Sequence, residues 1–500
     1  MRRRLLPLVL LALAACGNEA HRRGATVMYA SGADLQSINP LFTVHPLARQ
    51  VQRYVLLTTL VRYDSLMQVE PALARRWEWS GDSTRLTLHL YPGLRWHDGA
   101  PTTAHDVTWT LEQGRNPATG YPRQNDLASL TEIRAEDDST VVLGWRTAPG
   151  RMPDVLTDLA ILPAHLLEGT EPARLRQAAW NTTPVGNGPF RFVAHQPNRR
   201  WVFERNPEYP AALGGPPQLD RLVIAVVDEP MTKLAALTSG ELDFAALQPA
   251  YASFAKENPA IVVRSYPVLF TNGIVFNARR APFNDRSARR RVSEGLDRSA
   301  LVEGFAYGYA TPADGPVPPE LSVPRSSFLV PRNSWVVPEG GGNGAALARG
   351  GSSVQSNEER GTRNEERLSF ELLTVGSGEA ALEQMIQAQL APRGITVTIR
   401  QLELSAFLDR VYTAHDFDAA VLGTPGDLGL GYLEPLARLA GIPLPPHPRV
   451  PELLQFYQDE MPVAFLYHAR GVQGINRRLE GVQLGLRGEL ATVSQWRLRP

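Results

Sequence analysis

The stretch Leu86–Leu111, LTLHLYPGLRWHDGAPTTAHDVTWTL, decides how this chain is read. Its opening, from Thr84, alternates strictly: Leu86, Leu88 and Leu90 fall on one side, Arg85, Thr87 and His89 on the other. That period of two is the pattern of a half-buried strand. Tyr91-Pro92-Gly93 reads as a turn. Thr103 has the side chain of a helix N-cap, Asp106 stands three residues on as its capping-box partner, and Val107 and Leu111 give the helix an apolar face.

The same alternation of helix and strand signals continues outward. Asp228–Ser239 is predicted as a helix with Pro230 in its first turn, Met231, Leu234 and Leu237 on one face, and Gly240 as its stop. Asp285 is predicted to cap a helix through Leu296, and Asp297 a second through Phe305. A helix over Glu379–Leu390 ends at Pro392 and Gly394, and Ile395, Val397 and Ile399 alternate as the next strand. The fold class is α/β with several sheets. Residues 339–367, EGGGNGAALARGGSSVQSNEERGTRNEER, are too poor in apolar groups to offset their ordering entropy and are expected to be disordered.

Five hundred residues exceed what one hydrophobic core usually serves. Hydrophobic residues make up 43%, charged residues 20%, and 51 basic residues balance 51 acidic ones. The composition is globular, and zero net charge argues against nucleic-acid binding, which phosphate neutralisation drives. Only Lys233 and Lys256 are lysines, and neither follows a glycine, so there is no phosphate loop. No Gly-x-Ser-x-Gly or His-Glu-x-x-His motif occurs, so no catalytic residue is assigned and no enzyme is expected. His89, His97 and His105 stand eight apart, not at metal-ligand spacing. With a single cysteine there is no Cys-x-x-Cys site, so neither metal nor cofactor is expected.

That cysteine is Cys16, at the end of MRRRLLPLVLLALAAC. Arg2, Arg3 and Arg4 precede an apolar stretch too short to span a bilayer. The segment resembles a bacterial lipoprotein signal, with 1–15 removed, Cys16 lipidated and 16–30 as a tether. The resemblance implies an extracytoplasmic or periplasmic protein held to a membrane by lipid.

Four motifs in order resemble the extracytoplasmic solute-binding proteins, family 5, that serve peptide, dipeptide and nickel ABC transporters. They are Ser37-Ile38-Asn39-Pro40 with Leu73-Ala74 and Trp77; the stretch Leu86–Leu111; Pro184-Val-Gly-Asn-Gly-Pro-Phe190 with Asn206-Pro207; and the run from Leu237 to Pro319 that includes IVFNARRAPFNDRSARRRVSEGLDRSALVEG. The four motifs cover most of 31–320, and over the C-terminal third the likeness thins. Thr424 stands where the family has tryptophan, and the helix that follows in the family is not evident.

The resemblance implies a type II periplasmic-binding-protein-like fold. Lobe I would take 31–45, 182–270 and 472–500, with an extra domain over 46–181, and lobe II would take 271–471, interrupted by 339–367. A solute would bind in a cleft and be delivered to permease subunits by a monomeric receptor. Asp427 would pair with a peptide's terminal ammonium. Asn39, Phe270, Asn272 and Asn277 would line or border the cleft, their amides reading peptide N–H and C=O groups. Gly186, Asn187 and Gly188 would serve the backbone at the lobe crossing, with a peptide-group contact to ligand as the alternative. His97-Asp98-Gly99 would be a structural turn, and Arg289-Arg290-Arg291 a solvated helix face. Short peptides are the expected ligand. Nickel, haem or oligosaccharide binding, a non-transporting sensor, scaffold or chaperone lipoprotein, and a hydrolase stay open as alternatives.

Overall fold

The computed structural model describes residues 25–43, 45–321, 367–376, 378–426, 430–445 and 450–499. Cys16, Asp427 and residues 339–366 lie outside them. The chain forms two compact units, Met1–Arg264 with Val472–Pro500, and Ser265–Gly471. It passes between them inside two long strands, Ile261–Phe276 and Val463–Asn476.

In unit 1, Thr26–Ser31 pairs in parallel with Arg221–Val226 and with Phe244–Ala246. Arg200–Arg205 and then Phe190–Gln196 extend this sheet by antiparallel pairing. A separate antiparallel sheet runs Ala74–Trp79, Arg85–Leu90, Thr140–Trp145, Leu130–Asp137. Leu86, Leu88 and Leu90 are buried, as their alternation requires. Thr103 and Asp106 close the capping box of helix Ala104–Arg115. Leu86, Leu88, Val107 and Val141 belong to one apolar cluster with Val27, Tyr29 and Phe244.

Unit 2 is a sheet covered on both faces. Leu368–Val375 is parallel to Ile395–Leu402 and to Ala419–Pro425. Ala419–Pro425 is antiparallel to Ile261–Phe276, and Val463–Asn476 lies next in order. Successive side chains enter different cores: Ile274, Phe276, Leu372 and Ala419 one, Val275, Leu373 and Ala420 the other. Strands buried on both faces read as continuous apolar runs, as Leu372-Leu373 and Ala419-Ala420-Val421-Leu422 do here.

Three expectations change. Helix Pro230–Ser239 is capped by Glu229, whose carboxylate accepts from Met231 N and Thr232 N, and by Gly240 in the left-handed region. Its buried stripe is Lys233, Leu234 and Leu237, whereas Met231 is half exposed. Arg289 is not solvated: it is buried, donating to Phe283 O (2.7 Å) and to Glu460 O through Nε (2.9 Å) and Nη2 (2.6 Å). Arg290 alone of the trio is exposed. A helix does follow the Gly423–Gly426 segment, Leu433–Ala440. Its Pro435 sits in the first turn, where no intrahelical N–H is lost.

Candidate functional site

Two groups of residues matter, one in each unit. In unit 1, Asn187 N and Gly188 N both donate to Leu56 O, at 3.1 and 2.8 Å. A Cβ on Gly186 would lie 2.0 Å from Leu56 O, and one on Gly188 2.6 Å from Leu56 C. Neither glycine has positive φ, so close approach of two backbones is what excludes a side chain here. His97 N donates to Gly186 O (2.7 Å), and its ring Nε2 meets Gly188 O at 3.0 Å. The His97-Asp98-Gly99 turn is thereby fastened to the glycine segment. Burial pulls the His97 pKa down to about 4, so the ring is neutral.

The amides expected at the site divide sharply. Asn187 is fully buried; its oxygen accepts from Thr58 Oγ1 (2.7 Å) and its nitrogen donates to Thr102 Oγ1 (3.4 Å). Asn39, also fully buried, donates to Asn181 Oδ1 (2.9 Å) and accepts from Leu41 N (3.0 Å). Asn277 donates to His415 O (2.9 Å) and Phe417 O (2.8 Å) and accepts from Arg279 N (3.3 Å). All three are spent on the chain itself. Asn272 is different: it is half-buried, and among the described residues its amide has no hydrogen-bond partner.

Asn272 shares a strand face with Phe270, which is 37% exposed. Gly423 lies opposite Asn272 and Pro425 opposite Phe270. A Cβ on Gly423 would stand 2.6 Å from the Phe270 ring and 3.2 Å from Asn272 Oδ1, so glycine there lets the ring and amide lie flat over the neighbouring strand. Gly426 N donates to Leu269 O (2.8 Å), holding the chain beside that strand up to the residue before Asp427.

Thr271 points to the other face. Its hydroxyl meets Nδ1 of buried His468 at 2.9 Å, and burial pulls the His468 pKa to about 4. A narrow recess, with room for about one water molecule, lies beside it, between Thr271, Val275, Leu422, Tyr432, Val463 and Phe465. Sequence reasoning missed this pair; the separation of 197 residues leaves no local trace.

Among the described residues no group of three or more His, Cys, Asp or Glu side chains could hold a metal. No described helix is long and apolar enough to cross a membrane.

A two-unit α/β chain joined within two strands has the organisation of a solute-binding protein. The chain belongs to the bacterial extracellular solute-binding proteins, family 5, whose middle-region model matches residues 68–434. A Brucella ovis protein named for ABC transporter peptide binding is 30% identical over 269 residues, covering 53% of this chain and 50% of that protein. Di/tripeptide-binding protein 4 of Pseudomonas aeruginosa is 28% identical over 391 residues, covering 72% and 69%. The chain thus spans about half the length of the first of these relatives. The oligopeptide-binding protein AppA from Bacillus subtilis, solved with a nonapeptide, superposes with a TM-score of 0.71 over 95% of this chain and 99% of that one, at 20% identity. That likeness bears on fold alone, and the fold is the type II periplasmic-binding one.

Proposed function

We propose that this protein is the solute receptor of an ABC importer, that it binds short peptides through their main chain, and that it hands them to membrane permease subunits without chemical change. The observation that carries the reading is Asn272: a half-buried amide left unengaged by the described residues, beside the exposed Phe270 ring, on a strand that joins the two units. An amide offers one acceptor and two donors, which suits the N–H and C=O of any peptide whatever its side chains. The Phe270 ring adds apolar contact area. Asp427 follows directly on Gly426 in sequence and would supply the carboxylate for a terminal ammonium. Asn39, Asn187, Asn277, Gly186 and Gly188 serve as framework, each within its own unit.

Peptide-binding names among relatives support this solute class. Binding would be coupled to rearrangement of the two units about their joining strands, because a ligand shifts a conformational equilibrium by its differential affinity for the two states. Lipid at Cys16 would hold the receptor near its permease, and Cys16→Ser would then leave it in the soluble fraction.

The test is native mass spectrometry of the protein purified without denaturation, followed by addition of a mixed di- and tripeptide pool. Retained or added peptides should appear as intact mass increments. A chain that takes up no peptide, or returns cleaved ones, contradicts the proposal.

A further inference from the structure

We propose that unit 1 carries a second ligand site, a seat for a small soluble oxoanion of the phosphate class, formed by Arg49, Arg53 and Arg123. Arg49 and Arg53 stand four residues apart on consecutive helical segments, Pro46–Val51 and Gln52–Leu56, and so share a face. Arg123 comes from the turn before Gln124–Leu127. All three guanidinium groups reach one carboxylate, Asp158: Arg49 and Arg123 bear on Oδ2, Arg53 on Oδ1. A second carboxylate, Asp126, pairs with Arg123 at 2.5 Å and acts on Arg49 through space.

The charges do not balance. Three cations face two carboxylates, and among the described residues Arg49 and Arg53 form no other ion pair. Each guanidinium carries five N–H donors in a planar fork, far more than a single shared carboxylate accepts. Arg53 Nε is buried and has no hydrogen-bond partner among the described residues. A purely structural network would match each arginine to an acceptor, since like charges one helical turn apart repel. The Arg49 pKa is drawn down to about 9, first by burial and then by Arg53 and Arg123. An anion joining the group would offset both by favouring the charged guanidinium. The three side chains are 28%, 19% and 25% exposed, open to a small solute and too recessed for a flat bilayer surface. A tetrahedral dianion would add acceptors on several sides and match the guanidinium forks bidentately.

The experiment titrates inorganic phosphate into the full chain, against chloride at matched ionic strength, by calorimetry and by thermal melting. Phosphate should bind saturably and raise the melting midpoint. Arg49→Gln and Arg123→Gln should each weaken binding about tenfold, and Asp158→Asn, by removing a competing charge, should tighten it about tenfold. If a glutamine variant does not fold, Asp158→Asn carries the test; if that variant melts cooperatively only with phosphate present, the site is equally supported. No saturable heat in the wild type, or an unchanged response in the arginine variants, overturns the proposal. Phosphatidic-acid vesicles should not bind, and a response to vesicles in place of free phosphate overturns the small-anion assignment.

Discussion

Asn272→Ala and Asn187→Ala together separate binding surface from framework. The two residues are the same type and were expected at the same site. In the structure, Asn272 is half-buried and has no partner for its amide among the described residues. Asn187 is fully buried between the Thr58 and Thr102 hydroxyls. A net hydrogen bond is worth about 0.5–1.5 kcal/mol, so losing two to a peptide backbone costs about 1–3 kcal/mol. Asn272→Ala should therefore weaken peptide binding about 5- to 150-fold. It should change stability by no more than about 0.5 kcal/mol, as for a surface side chain without partners. Asn187→Ala should do the reverse. It leaves buried hydroxyls unsatisfied at about 1–3 kcal/mol each, so the melt shifts down while the folded fraction binds peptide as before. Calorimetry with a defined tripeptide and thermal denaturation read the two quantities independently. Full affinity in Asn272→Ala, or weakened affinity at unchanged stability in Asn187→Ala, would refute the assignment.

Gly186→Ala should destabilise by about 3 kcal/mol or more, because the new Cβ would lie 2.0 Å from Leu56 O, a backbone atom with little room to move. Circular-dichroism melts check this, and a wild-type midpoint would contradict it. Acid should destabilise the protein through His97 and His468, both held at about 4 against an ordinary 6.5. The unfolded chain takes up these protons first as pH falls, so stability is full above 6.5 and declines between 6.5 and 4, by up to about 3 kcal/mol per histidine. His97→Gln should flatten that part of the stability–pH curve. Arg289→Met should cost about 2–4 kcal/mol in denaturant titration, since it strips donors from the Phe283 and Glu460 carbonyls.

What the sequence made legible was local. The Arg85–Leu90 alternation, the Thr103/Asp106 box, the Asp285 and Asp297 caps and the Gly240 stop each depend on neighbours within a few residues, and each stands in the structure. What stayed hidden depends on distant partners. Asn39 finds Asn181, Asn187 finds Thr58, Asn277 finds His415, and Arg289 finds Glu460, across 129 to 171 residues. An amide bound for the core and one facing solute look alike in a sequence. In the structure Asn39, Asn187 and Asn277 are buried, whereas Asn272 is half-buried with no partner among the described residues. Helix Leu433–Ala440 was obscured for another reason. Pro435 argues against a helix until its place in the first turn is known.

The central claim is that peptide lies across the Phe270–Asn272 segment and the neighbouring 423–426 segment. Amide hydrogen exchange with and without a saturating tripeptide tests it most directly. The account predicts slowed exchange at both segments and recovery of the tripeptide intact. Unchanged exchange at both under saturating peptide would contradict it.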